Sequence, residues 1–212
     1  MYTDKNKVSY KLYICTDSGL MSHGTVEESV EAVLRGGATV IQLREKNASS
    51  RELYELALRV KKITDSFGVP LIIDDRVDIA LAVDAAGVHL GQSDMPCAAA
   101  RRILGDDKII GITAPRPELA VQAAADGADY LGVGAMFVTS TKTDAKPNTR
   151  ENLAAVRAAV DIPIVIIGGV KRSNVLEFAG MGVDGAAVIS DIIADPDPEA
   201  AAREMLEILG RF

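Results

Sequence analysis

Short runs rich in apolar and β-branched residues alternate with stretches of helical periodicity along the whole chain. Eight runs read as strands: KLYICTD (11–17), TVIQLRE (39–45), PLIIDD (70–75), GVHLGQ (87–92), KIIGITA (108–114), DYLGVGA (129–135), IPIVIIGG (162–169) and GAAVISD (185–191). Between them lie helical stretches such as SSRELYELALRVKKITDSFG (49–68) and ENLAAVRAAV (151–160), and DPEAAAREMLEIL (197–209) follows the eighth strand. Ser49 or Ser50 can cap the second helix, Gly68 can end it, and Asp197 before Pro198 suits the start of the last. GGATVIQL, DAAGVHL, DGADYLGV and MGVDGAAVI echo one another, each leading from a helix end through glycine into an apolar strand. Strict strand–helix alternation over this length predicts an α/β fold, a single-domain (β/α)8 TIM barrel spanning 1–212. The competing open, doubly wound sheet would carry a G-x-G-x-x-G turn after its first strand, and TDSGLMSHG lacks one.

The stretch VIQLREK (40–46) begins as a buried strand and ends in charge. Alternate strand side chains share a face, so Val40, Gln42, Arg44 and Lys46 point one way and Ile41, Leu43 and Glu45 the other. Polar residues also close the other strands: Asp74 and Asp75 on the third, Gln92, Ser93 and Asp94 after the fourth, Thr113 on the fifth, and Ile189, Ser190 and Asp191 on the eighth. In such barrels the C-terminal strand ends carry the chemistry. One polar strand end is commonplace, whereas a rim of them points to an anion bound at the mouth by Arg44 and Lys46.

Composition narrows the ligand. The 212 residues are 48% apolar, enough for a sizeable core, and the net charge is −7, which argues against nonspecific nucleic-acid binding. A phosphate ligand therefore needs locally gathered cations. No apolar run is long enough to span a bilayer, and MYTDKNK is expected to be a frayed polar end over 1–8 with no secretory character. Cys15 and Cys97 match no zinc or redox spacing and read as packed thiols of a cytoplasmic protein. The oligomeric state, a homo-oligomer included, is open.

Asp75 and Asp94 belong to successive strands and would be neighbours. Beside two cations they make either salt bridges or a Mg²⁺ site, since magnesium takes one or two carboxylates and completes its shell with water and phosphate oxygens. His23 and His89 form no zinc cluster, and His89 reads as a satisfied core histidine rather than a base. The loop from about Ala135 to Arg150 is the longest, with hydroxyls on Thr139, Ser140 and Thr141 and cations on Lys142 and Lys146. Gly168 and Gly169 leave backbone amides open to a phosphate after the seventh strand, or else form a tight turn. The rim thus offers a diphosphate site and a monophosphate site, as an enzyme joining two phosphorylated molecules needs.

QLREK (42–46), DDRVDIALAVDAAGVHLGQSD (74–94), GADYLGVGAMFVTSTKTDA (127–145), IGGV (167–170) and VIS (188–190) together resemble the thiamine phosphate synthase family, in its order and spacing and over nearly the whole chain. The resemblance implies a Mg²⁺-dependent barrel that couples a hydroxymethylpyrimidine diphosphate to a thiazole phosphate, giving thiamine phosphate and pyrophosphate. It implies that Gln42, Leu43, Arg44, Glu45 and Lys46 bind the pyrimidine diphosphate, with Arg44, Lys46 and Lys142 on its phosphates. Asp75 and Asp94 would ligate Mg²⁺, Thr139, Ser140 and Thr141 would line the thiazole side, and Gly169, Ile189 and Ser190 would hold its phosphate. Asp74 stands where the family commonly has asparagine, Thr113 where it has serine, and Val138 where it has proline. A carboxylate only accepts hydrogen bonds unless protonated, so Asp74 meets a pyrimidine differently from an amide, or helps the metal. Other readings of the rim are a thiazole tautomerase-like barrel, an isomerase or epimerase of one sugar phosphate, and a non-catalytic barrel that binds a phosphorylated ligand. Lys46, Asp75, Asp94 and Lys142 together argue against the first, and the second leaves the cationic cluster unused.

Overall fold

The computed structural model describes residues 4–21, 24–138 and 148–212. The predicted strands close into a parallel barrel in the order β1 to β8. They are β1 (Leu12–Cys15), β2 (Val40–Leu43), β3 (Leu71–Asp74), β4 (Gly87–Leu90), β5 (Ile109–Thr113), β6 (Tyr130–Val133), β7 (Ile164–Ile166) and β8 (Gly185–Val188). Closure pairs β1 with β8, setting Leu12 beside Ala186 and Ile14 beside Val188. The helices outside are α1 (Val26–Arg35), α2 (Ser50–Phe67), α3 (Val77–Ala82), α4 (Cys97–Leu104), α5 (Pro117–Ala125), α6 (Arg150–Ala159), α7 (Ser190–Ile193) and α8 (Pro198–Leu209).

The ladders are shorter than the apolar runs, because the chain turns outward before the last residues of each run can pair. At the eighth strand this changes the expectation: β8 stops at Val188, and Ser190 already begins the short helix α7. Local signals fix the helix starts. Thr25 with Glu28, and Ser49 with Glu52, form reciprocal capping boxes at α1 and α2, each contributing roughly 1 kcal/mol. Asp197 accepts from the Ala200 N–H at the start of α8, and Gly68 ends α2 in the left-handed conformation.

The strand alternation divides the interior in two. Tyr13, Cys15, Val40, Ile72, Ile109, Tyr130, Val165 and Ala187 fill the barrel, while Ile14, Ile41, Leu43 and Ile73 pack against helix residues such as Val30, Leu53 and Val60. The repeated glycines serve two different ends. Gly37, Gly127 and Gly182 take positive φ as expected, but Gly87 and Gly185 are the first residues of their strands. A Cβ on Gly87 would stand 2.0 Å from the Ile109 carbonyl oxygen, so absence of a side chain there permits close strand approach. Both cysteines are buried and free, and burial pushes the Cys97 thiol up to about 11, as befits packed thiols. The expected frayed end differs from Asp4 onward: Asp4 caps a 3-10 turn over Lys5–Lys7, and Lys5 pairs with Asp129 at 2.9 Å.

Candidate active site at the barrel mouth

β2 delivers its charged end as the alternation requires. Gln42 is buried inside the barrel, where its Nε2 donates to the Tyr13 hydroxyl at 2.8 Å. Arg44 and Lys46 continue on the same face and meet the end of β3. Lys46 Nζ lies 2.9 Å from Asp74 Oδ2 and pairs also with Asp75, while Arg44 Nε is 3.8 Å from Asp74 Oδ2 and its Nη1 donates to Asp17 at 2.9 Å. Leu43 instead faces the helix layer and is fully buried there. Glu45 turns toward the loop after β1, accepting from the Thr16 hydroxyl at 3.1 Å and the Ser18 hydroxyl at 2.6 Å. The mouth therefore receives the Gln42, Arg44 and Lys46 side chains of QLREK and not those of Leu43 and Glu45.

The acids are held under tension. Asp75 adopts φ 60°, a left-handed conformation that costs roughly 1 kcal/mol outside glycine, and its N–H donates to the His89 carbonyl at 2.9 Å. That twist turns the end of β3 toward β4. Asp94 bends back so that its Oδ2 accepts from the Gly91 N–H at 2.7 Å. Burial first, then repulsion from Asp75, raise the Asp94 carboxyl above its ordinary value, against the pull of the Gly91 amide. The two carboxyls are thus neighbours. Asp74 is raised by burial and by Asp75, although Lys46 and Arg44 oppose this. Burial works against the Lys46 ammonium, yet Asp74 and Asp75 outweigh it and hold the amine above the usual lysine value. The shifts of Lys46 and Asp74 look contradictory for an ion pair. They agree once Asp74 is seen to be the more buried partner and to face a second carboxylate.

A polar chain crosses the barrel beneath these charges. The Tyr13 and Tyr130 hydroxyls lie 2.8 Å apart, Tyr130 is 3.0 Å from His89 Nδ1, and His89 Nε2 is 2.9 Å from the Thr113 hydroxyl. Both ring nitrogens of His89 are thus hydrogen-bonded. Thr113 also accepts from Gln92 through its carbonyl at 2.6 Å.

The opposite side of the mouth is built from backbone. Gly168 and Gly169 take φ of 92° and 66° after β7. A Cβ on Gly169 would stand 2.7 Å from Cβ of Phe137, so the turn is closed to any side chain. Phe137 N–H donates to the Gly168 carbonyl and Asn174 Nδ2 to that of Gly169, at 2.9 and 3.0 Å. Ile189 packs on the interior cluster, and Ser190 follows it at the start of α7. Among the described residues, the N–H groups of Gly168, Gly169, Ser190 and Asp191 meet no acceptor. Thr139, Ser140, Thr141 and Lys142, with Lys146 and His23, lie outside the described residues.

The donor set suits a hard cation. Asp75 and Asp94 offer adjacent carboxylate oxygens, and no group of three or more His, Cys, Asp or Glu gathers as a metal cage among the described residues. That combination fits magnesium, which leaves most of its shell to water and phosphate oxygens, and disfavours zinc. A separate cavity of about 490 Å³ lies at the other end of the barrel, lined by Lys5, Lys61, Asp84 and Lys108 among others. Its lysines are each paired with an aspartate, leaving no spare cationic charge for a ligand. Sequence reasoning missed Thr16 and Asp17, although KLYICTD ends in the same polar signal as the other strands.

A family model described as thiamine monophosphate synthase matches residues 12–192. The chain is 53% identical over 201 residues to the thiamine-phosphate synthase of Clostridium beijerinckii, covering 95% of this chain and 96% of that one. It is 51% identical over 203 residues to that of Clostridium botulinum, covering 96% and 95%. The solved thiamine phosphate pyrophosphorylase of Pyrococcus furiosus superposes with a TM-score of 0.88 at 42% identity, covering 96% of each chain. No described helix is long and apolar enough to cross a membrane.

Proposed function

This chain belongs to the thiamine monophosphate synthase family, and on that premise we propose that the charged side of its barrel mouth holds a pyrimidine diphosphate and the glycine side a thiazole phosphate. It is an enzyme that condenses 4-amino-2-methyl-5-(diphosphooxymethyl)pyrimidine with a thiazole phosphate to give thiamine phosphate and pyrophosphate. The observation that carries the placement is the convergence of Arg44, Lys46, Asp74, Asp75 and Asp94 at one rim, on the opposite side of the barrel from the β7 and β8 ends, whose amides meet no acceptor among the described residues.

Asp75 and Asp94 hold Mg²⁺, which when bound supplies positive charge against the diphosphate oxygens. Arg44, Lys46 and Lys142 bind the departing diphosphate and stabilise the charge it gains as its bond to the pyrimidine methylene carbon breaks. Lys46 is held in its charged form by the two aspartates, so it is ready for that task without a proton transfer. Gln42, fixed by Tyr13, and Thr113, fixed by His89, address the pyrimidine from inside the barrel, with Asp74 beside them. Leu43 and Glu45 contribute through backbone, since their side chains face elsewhere. Gly169, Ile189 and Ser190 seat the thiazole phosphate, and Thr139, Ser140 and Thr141 line the ring, placing its nitrogen for attack on the methylene carbon. No side-chain nucleophile is needed. The enzyme acts on small phosphorylated molecules in a cytoplasmic setting, with neither nucleic acid nor membrane as partner.

Pyrophosphate release, measured with each component omitted in turn, tests the reading. Release requires both substrates and Mg²⁺. Ligand binding without release marks a binding barrel instead, and a reaction of the thiazole compound alone marks a tautomerase.

A further inference from the structure

The loop after β7, the start of α7 and α8 are joined by one side chain. Arg172 lies three positions beyond Gly169. Its backbone N–H and its Nε both donate to Asp191 Oδ2, at 2.9 and 3.0 Å. Its Nη2 donates to the Asp191 carbonyl oxygen at 3.1 Å and to Asp195 at 2.7 Å, and its Nη1 to Glu204 of α8 at 2.9 Å. All three guanidinium nitrogens are engaged, and the Asp191 side chain is only 15% exposed. A planar fork can satisfy this set and a single ammonium cannot.

Asp191 directly follows Ser190. Its own N–H belongs to the group of amides without an acceptor, yet its side chain is a carboxylate. A carboxylate left beside a bound phosphate would repel it. The Arg172 contacts draw that carboxylate to the back of the loop while pulling its backbone against the β7 end. Two effects therefore meet in one residue: the spacing of the two loops and the removal of a repulsive charge from the seat.

We propose that Arg172 is a positioning residue for the phosphorylated thiazole, setting its affinity by holding Asp191 behind the β7–β8 seat without touching the substrate. The proposal rests on the glycine side being that phosphate's site. Selectivity is its signature, because the pyrimidine diphosphate binds on the other side of the mouth.

Steady-state kinetics on the full chain with Mg²⁺, varying each substrate in turn, test it. Arg172→Ala raises KM for the thiazole phosphate by about tenfold or more, the scale of one lost charge-assisted contact, and leaves KM for the pyrimidine diphosphate within about twofold. Arg172→Lys gives the same selective rise at smaller size and carries the test should the alanine variant fail to fold. The double variant Arg172→Ala with Asp191→Ala recovers much of the lost affinity, because the stranded carboxylate is gone. A merely structural clamp would raise both KM values together and leave the double variant no better than the single, and either result overturns the proposal. Gly169→Ala separates the two levels. If it raises the thiazole phosphate KM while Arg172→Ala does not, the role of Arg172 is wrong and the site stands. If neither variant moves that KM, the site itself is wrong.

Discussion

On the β2–β4 side of the mouth, Arg44 and Lys46 face Asp74, Asp75 and Asp94; on the β7–β8 side, the rim offers backbone N–H groups and two glycines. The first side gathers formal charges of both signs, two cations against three carboxylates. Burial and the neighbouring Asp75 raise the carboxyls of Asp74 and Asp94, so charging both is costly, and a divalent ion would offset that cost. The second side stores no charge in the seat, and its directionality comes from backbone fixed by Phe137, Asn174 and Arg172. Charge is the economical means of holding a leaving group whose own charge grows during reaction. Oriented amides suffice for a phosphate whose charge stays constant and which serves as a handle.

The sharpest way to break this contrast is to disable the charged side. Chelating the metal abolishes turnover, and Mg²⁺ restores it. Asp75→Ala or Lys142→Ala lowers kcat by ~10²–10³ or more while circular dichroism shows the fold intact. Near-normal turnover in any of these would mean the charges do not serve the departing diphosphate. The glycine side answers differently. Gly169→Ala forces a side chain into a left-handed turn against Phe137, and it raises KM for the thiazole phosphate about tenfold with a much smaller change in KM for the pyrimidine diphosphate. Equal effects on both substrates would erase the distinction between the sides.

The smallest effect concerns stability. Asp74 and Asp94 have folded-state values above the ordinary aspartate value, so the folded chain holds protons that the unfolded chain has lost as pH climbs through that window. Metal-free stability therefore falls as pH rises from the ordinary aspartate value through the raised ones. Asp94→Asn removes part of that penalty, so at neutral pH the metal-free variant melts at or above the wild-type temperature while losing activity. Thermal melts across acid to neutral pH, with and without Mg²⁺, check this. A variant that melts well below wild type at neutral pH would show Asp94 to be a structural group.

The order of elements and the rim of polar strand ends were readable because both are local: a strand's period and its last residues lie within a few positions of one another. Arg44 and Lys46 fall on the Gln42 face for that reason. The polar chain through Tyr13, Tyr130, His89 and Thr113 was not readable, since Tyr13 and Tyr130 lie 117 residues apart and meet only across the barrel interior, and neither tyrosine carries a local mark. The echoing glycines misled in part, because a glycine needed for close strand approach looks in sequence like one needed for a turn. Gly87 and Gly185 are of the first kind. Arg172 was invisible for a further reason: its partners lie on α7, on α8 and in the turn between them, and only the fold brings three acids to one guanidinium.

The most direct test of the two-sided mouth is calorimetric titration of pyrophosphate into the enzyme with and without Mg²⁺, compared with Asp75→Asn/Asp94→Asn. The account predicts tight binding to the wild type only when Mg²⁺ is present, and weak, metal-insensitive binding to the variant. Equal affinity in the wild type with and without the ion, or undiminished Mg²⁺-dependent binding in the variant, would contradict it.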